Sequence, residues 1–588
     1  MKFSLTRNKI IAICSVLVIG LAVGGFFALR RFPRVAMERY APANALAFVE
    51  VDSLTDLVDG LTHTKAWREL APVLGLSSQL RQIGLVGDLI GRTGLGPDEV
   101  VAAGRAQYAI AITGIESKTT ETDDRADIQL KPLFALIIET HTKPETAARL
   151  LSERSPALVE RIYGQTVAQD TEDYQGTKIL VFRGPPSRRP VVAAALGSVI
   201  VVGNDVRALT ACLDSIAGRA SSLAGDEILS QKRAEVGPNP PIFGYVTASG
   251  IEKLTDLWPV LALSRTADPD TASLVADLIE HVSKQSVSGA LYSLAFANDG
   301  VTEKYLTVLR PAVAEALIEP LKPAPGAGLQ AARLIPSSIV SATFLSVERA
   351  GELPERVLKG VSPNLDIVAG VALREFVISF RRQYGLEPSD SIGGATGPEI
   401  AVVNFGDERP RAMLIKVNDK AKLEAAVNRY LLRKGDSIRK DQLDNIEISA
   451  NSNDDRRAAA FVGEFLVLGT HDQIIRVIET LQNRDGLEAD ARFKEILARR
   501  PAAASMISYR SRVDDAAKLL LSVSSLTRVT DGSPELLESN PAREAINHFP
   551  RSNSFTEFRV SGVYVESHSA VGSFSALASL IAGDSENP

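Results

Sequence analysis

The sequence predicts an α+β fold: an N-terminal transmembrane helix followed by two tandem copies of a mainly antiparallel sheet module with packed helices. Three observations carry this. A single uncharged apolar run stands near the start. Runs of strand length recur, joined by tight glycine turns and separated by amphipathic stretches. The second half of the chain repeats the first in order.

The apolar run is Ile10–Leu29, uncharged throughout and flanked by Lys2, Arg7 and Lys9 before it and Arg30, Arg31 and Arg34 after it. At a rise of about 1.5 Å per residue such a helix crosses the ~30 Å hydrocarbon core of a bilayer. It exceeds the ~7–15 residues of a signal-peptide core, and no small-residue cleavage site follows it directly. It therefore reads as a retained anchor, with residues 1–9 as a short cytoplasmic head and 30–39 as a juxtamembrane linker. That makes it a single-pass membrane protein with its head inside, its body outside and the lipid bilayer as its first partner. Gly20, Gly24 and Ala28 form a small-residue stripe through which two anchors would pack as a homodimer, although glycine is common in membrane helices in any case.

At 588 residues the chain exceeds one hydrophobic core, and 45% hydrophobic with 23% charged residues is a globular composition. A net charge of -6 and a pI near 5.8 argue against a nucleic-acid partner. The two cysteines are Cys14, in the apolar run, and Cys212, at a core position, so no internal disulfide is expected.

The repeat is read from collinear blocks. Gly94-Leu-Gly-Pro97 with Tyr108–Ile112 matches Gly385-Leu-Glu-Pro388 with Glu399–Val403. Upstream, Tyr40-Ala-Pro42 with Phe48–Val51 matches Leu334-Ile-Pro336 with Phe344–Val347. Downstream, Leu196–Gly203 matches Val462–Gly469. Copy one is assigned to 40–318 and copy two to 331–584, with the proline- and glycine-rich 319–330 as linker. Copy one carries a long acidic loop over Gly114–Gln129 where copy two has only Gly406–Arg409.

Within copy one, Leu46–Val51 is a strand, and Asp52 or Ser53 caps a helix with Leu54, Leu57, Val58 and Leu61 at helical spacing. Trp67 reads as a core anchor. Leu80–Ile90 reads as a helix stopped by Gly91, Gly94 and Gly96, which are not ordered as a phosphate cradle. Tyr108–Ile112 and Leu133–Ile138 are strands, followed by a helix over Pro144–Glu153. Lys178–Phe182, Val191–Leu196 and Val199–Val202 form the clearest sheet, and Gly197-Ser198 suits a type II′ hairpin. A helix carrying Val206, Leu209, Leu213 and Ile216 on one face follows, and copy two answers with Ile474, Ile475, Ile478 and Leu481. Each copy closes on a hairpin, over Tyr292–Leu309 and Phe555–Val565.

The opening Tyr40-Ala-Pro-Ala-Asn-Ala-Leu-Ala-Phe-Val-Glu-Val51, the Ala66-Trp67 pair and the hairpin Gly197–Asp205 resemble the bacterial membrane-anchored family known as domain of unknown function 3352. The resemblance covers most of Tyr40–Leu309 and, more loosely, Leu334–Ile581. The resemblance implies an envelope location, a single-pass protein of a bacterial inner membrane with its body on the periplasmic side, and brings neither an activity nor functional residues.

Chemistry is sparse. The histidines His63, His141, His281, His471, His548 and His568 make no H-E-x-x-H, and no cysteine is spaced to join one at a metal. Ser437-Ile-Arg-Lys440 has S-x-x-K spacing but lies in a charged run that reads as a solvated loop. Asn451–Asp455 alternates oxygen ligands but puts Arg456 where a calcium loop turns on glycine. No metal or cofactor is expected. The loops before two equivalent strands carry Arg188-Arg189 and Arg456-Arg457, which would contact an anion or a lipid headgroup, or would guard a sheet edge. The copies agree on turns and apolar strands and differ where polar, which lowers the expectation of an enzyme. The leading expectation is a non-catalytic cell-envelope binding or scaffolding protein with an envelope protein or lipid as partner. The alternatives are a lipid or small-ligand binder with an apolar cleft within or between modules, and an envelope hydrolase whose site is dispersed in sequence.

Overall fold

A computed structural model describes residues 34–75, 102–122, 125–163, 165–184, 189–263, 280–297, 299–326, 328–383, 393–406, 411–432, 436–511, 516–521 and 534–574. The first half contributes β1 (Ala47–Val51), β2 (Gln107–Thr122), β3 (Arg125–Glu139), β4 (Ala168–Tyr174), β5 (Thr177–Arg183), β6 (Val191–Leu196), β7 (Val199–Gly203), β8 (Ile242–Val246), β9 (Val287–Ala297) and β10 (Gly300–Leu309). The second contributes β11 (Ser341–Ser346), β12 (Thr396–Asn404), β13 (Ala412–Val417), β14 (Ile438–Leu443), β15 (Ile446–Asn451), β16 (Ala458–Val462), β17 (Phe465–Gly469), β18 (Ala504–Arg510), β19 (Ser552–Arg559) and β20 (Gly562–Ser569).

Every pairing among these strands is antiparallel. From one edge the order runs β4-β5-β6-β7-β3-β2-β1-β8-β9-β10, and then β20-β19-β18-β11-β12-β13-β17-β16-β15-β14 to the other. The second series is the first in reverse. Isolated bridges repeat as well, Pro42 to Ser222 and Pro336 to Gly486. Carried along the ladders, this correspondence puts Thr343 where Val49 stands, so Phe344 occupies the place of Glu50 and not of Phe48. The two-residue slip preserves the buried face, because side chains alternate with period two.

Two tandem modules, each with its own sheet, were expected, and this is corrected. All twenty described strands belong to one antiparallel sheet. β10 and β20 pair from Val301↔Ser569 to Val308↔Gly562, which closes the edge that each half would otherwise leave exposed. The single-pass membrane protein of a bacterial inner membrane is corrected too. Among the described residues no helix is long and apolar enough to cross a membrane; even the longest, Pro144–Tyr163, is interrupted by Arg149, Glu153, Arg154 and Glu160. The segment 10–29, with Gly20, Gly24 and Ala28, lies outside the described residues, as do Leu80–Ile90 and the glycines after it.

Local chemistry explains the turns. Gly197 and Gly463 have φ of 63° and 57° and are followed by residues at ordinary φ, the type II′ pattern. Gln175-Gly176 and Asp444-Asn445 instead have positive φ at both positions, a type I′ pattern that joins β4 to β5 and β14 to β15. β4 and β14 are the sheet's outer edges, and both are charged and largely exposed, which keeps the edge from templating another chain. The S-x-x-K run therefore lies on an edge strand and not in a loop. The acidic segment Gly114–Gln129 is also no loop, since β2 and β3 stay paired out to Thr122↔Arg125.

Two large cores occupy one face of the sheet, one in each half. The first gathers Phe48, Phe243 and Tyr245 under the helix Val206–Ile216, whose Leu209, Cys212 and Leu213 are fully buried. The second gathers Phe344, Phe465 and Phe555 with Ile474, Val477 and Ile478 of the helix His471–Asn483. On the opposite face, Pro144–Tyr163 covers β6 and β7, and Lys420–Leu431 covers the matching strands. Trp67 joins the halves: it is buried with Leu70 against Leu520, Ala542 and Phe549.

Candidate functional site

The face opposite the large cores carries a cleft of about 600 Å³ in the second half. Its floor is set by register. Thr343 of β11 lies opposite Ser508 of β18, Ser508 opposite Ser554 of β19, Ser554 opposite Ser567 of β20, and Ser567 opposite Glu303 of β10. Because alternate residues share a face, these side chains form one transverse row. A second row lies beside it: Ser341, Arg510, Ser552 and Ser569. Arg411 enters just before β13, and residues 516–521 and 570–573 close the top through Ala516, Ala570 and Val571.

The hydroxyls are poised for a ligand more than for one another. Thr343 and Ser508 share a hydrogen bond of 3.2 Å, and Ser569 accepts from the Gly572 amide. Among the described residues the hydroxyls of Ser341, Ser552, Ser554 and Ser567 have no partner, and all four are half-buried. Each offers one donor and two acceptor positions to the cleft.

Glu303 anchors the far end. It is buried and accepts from the Tyr292 hydroxyl at 2.7 Å, the Ser573 amide at 2.9 Å and the Ser573 hydroxyl. Burial, reinforced by the Glu303 charge, holds the Tyr292 phenol well above its ordinary range, so it remains a donor. Arg411 forms no ion pair among the described residues and sits exposed at the opposite end. The cleft thus presents a hydroxyl floor between a satisfied carboxylate and a guanidinium.

The first half provides an internal comparison. Where the row has Thr343, Ser508, Ser554 and Ser567, the matching ladder has Val49, Gly244, Tyr292 and Tyr305. The same backbone is built there without serine or threonine, with the Tyr292 and Tyr305 rings 5.1 Å apart. The fold does not require the serines.

The arginine pairs are placed elsewhere. Arg188 lies outside the described residues. Arg189 is tied to Glu116, with Asp205 at 4.0 Å, and its carbonyl accepts from Tyr163. Arg457 donates to the Tyr430 carbonyl at 3.2 Å and stands over the Tyr430 ring, with Asp454 at 3.7 Å, while Arg456 is exposed beside it. These contacts tie down the ends of β6 and β16, which lie in opposite halves of the sheet, so the structure does not bring Arg189 and Arg457 together. Burial pushes the Cys212 thiol up to about 12, so it is a protonated core group. Among the described residues no group of His, Cys, Asp and Glu could hold a metal ion.

The hydroxyl rows escaped sequence reasoning, although a signal existed. Ser552-Asn-Ser554, Ser567-His-Ser569 and Ser341-Ala-Thr343 each place hydroxyls two apart inside segments with strand patterning. No family model, curated protein or solved structure matches the chain.

Proposed function

We propose that this protein is a non-catalytic binding protein that holds a small polyhydroxy carboxylate, such as a sugar acid, in the hydroxyl-floored cleft. The observation that carries the reading is the in-register row Thr343, Ser508, Ser554 and Ser567. A ligand rich in hydroxyls satisfies such a floor because each serine both donates and accepts. A carboxylate on the ligand would meet Arg411 and Arg510, where a charge-assisted hydrogen bond is stronger than a neutral one. The apolar lining expected of a lipid cleft is missing from this floor.

Isothermal titration of the full chain with glucuronate, and with glucose as its uncharged counterpart, tests this. Glucuronate should bind more tightly than glucose, and Thr343→Val, which removes one hydroxyl at nearly constant volume, should weaken it about tenfold. Equal binding by wild type and variant, or no heat with glucuronate, contradicts the proposal.

A further inference from the structure

A second cleft, of about 330 Å³, opens at the end of the sheet where β10, β19 and β20 meet the helix Ala491–Ala498. We propose that it binds a phosphate group, held by Arg551, Arg492 and Lys65. This reading is independent of the hydroxyl-floored cleft.

The charges lining the cleft separate into those already answered and those left over. Arg499 is paired with Asp299 at 3.2 Å, His568 lies 3.1 Å from Glu566, and His548 lies 3.7 Å from Glu69. Glu495 is exposed. The Arg492 guanidinium donates to the Asn547 carbonyl at 2.7 Å, a neutral acceptor that leaves its charge uncompensated. Among the described residues the side chains of Arg551 and Lys65 make neither a hydrogen bond nor an ion pair. Asp490, whose charge also reaches Arg551, is occupied in capping its helix through the amides of Arg492 and Phe493. Partial burial, followed by repulsion from Arg492, lowers the pKa of the Arg551 guanidinium. An anion entering the cleft relieves both.

The first half again shows that the fold does not need these charges. Asp226 caps the matching helix as Asp490 does, and in that half Ile228 stands in place of Arg492, Gly289 in place of Arg551 and Leu306 in place of His568. Leu306 is fully buried and Ile228 packs on the core there. A position that closes as apolar packing in one half is opened and made cationic in the other. Two guanidinium forks and an ammonium suit a tetrahedral dianion better than a planar carboxylate, since they offer donors from several directions.

The test is the thermal unfolding of the full chain in inorganic phosphate, with chloride at matched ionic strength as reference. Glycerol 3-phosphate forms a second arm that distinguishes a free anion from an esterified one. Phosphate, its ester or both should raise the midpoint saturably, with the apparent affinity falling about tenfold in Arg551→Gln. Lys65→Gln, on the far wall, should weaken it in the same direction and remains informative if the first variant folds poorly. Thr343→Val should leave it unchanged. A midpoint indifferent to both anions, or a shift that survives in both charge variants, overturns the proposal.

Discussion

Lys304 and Glu566 occupy the same position in the two halves and face each other across the seam, with Nζ 4.0 Å from Oε2. Each stands four residues beyond the glycine that opens its strand, Gly300 in β10 and Gly562 in β20. The pair therefore marks the local two-fold axis of the sheet. Two strands that met at identical residues would place like charges there; here the charges are opposite. Half-exposed as the pair is, its own contribution is below about 1 kcal/mol, and the eight-residue ladder around it is what joins the halves.

The seam is sensitive at Gly562. Its φ is +133°, and an added Cβ would strike the Thr307 carbonyl of the facing strand. Gly562→Ala should lower stability by about 2 kcal/mol or more, read as a fall in the denaturant midpoint. An unchanged midpoint would mean that β20 does not lie against β10 as described.

The hydroxyl row should separate binding from stability. Ser554→Ala removes a half-buried hydroxyl with no partner among the described residues, so the unfolding midpoint should move by less than about 0.5 kcal/mol while glucuronate affinity falls. A large loss of stability would show that the serine holds the sheet together instead.

Glu50 sets a stability slope at neutral pH. It is 4% exposed, and burial pushes its carboxyl up to about 7 despite the adjacent Arg233. A carboxyl whose folded pKa lies above its unfolded one binds its proton more tightly in the native state. The stability this brings is complete below about pH 4.5 and is lost as pH rises through about 7. Between pH 5 and 8 the wild type should therefore lose on the order of 2 kcal/mol relative to Glu50→Gln. Parallel pH profiles for the two proteins would refute this assignment.

Glu566 acts in the opposite sense. The hydrogen bond from His568 holds its carboxyl down to about 2, with the Tyr564 hydroxyl also donating. Stability from this depressed carboxyl is present above about pH 4.5 and is lost as pH falls through about 2. His568→Gln should flatten the acid limb of the unfolding curve by less than about 1 kcal/mol and leave the limb above pH 7 unchanged.

What the sequence disclosed follows from how local each feature is. The hairpin at Gly197-Ser198 was legible because glycine at positive φ and two flanking apolar runs lie within a dozen residues. The core helix with Leu209, Cys212 and Leu213 was legible by its period. The edge strands β4 and β14 were not, because Gln169–Asp173 and Arg439–Asp441 carry charge where a buried strand would alternate. The seam left no local trace, since Lys304 and Glu566 find each other only after both halves fold. Both clefts share that property. Serines read singly as turn or cap residues become a floor only when four strands align them, and Lys65 meets Arg492 and Arg551 only through tertiary packing.

β10 and β20 join the two halves into one sheet. Amide hydrogen exchange across Val301–Val308 and Gly562–Ser569 tests it most directly. These amides should exchange as slowly as those shared by β9 and β10. Exchange as fast as at the outer edge strand β14 would mean that the seam is open and the halves are separate.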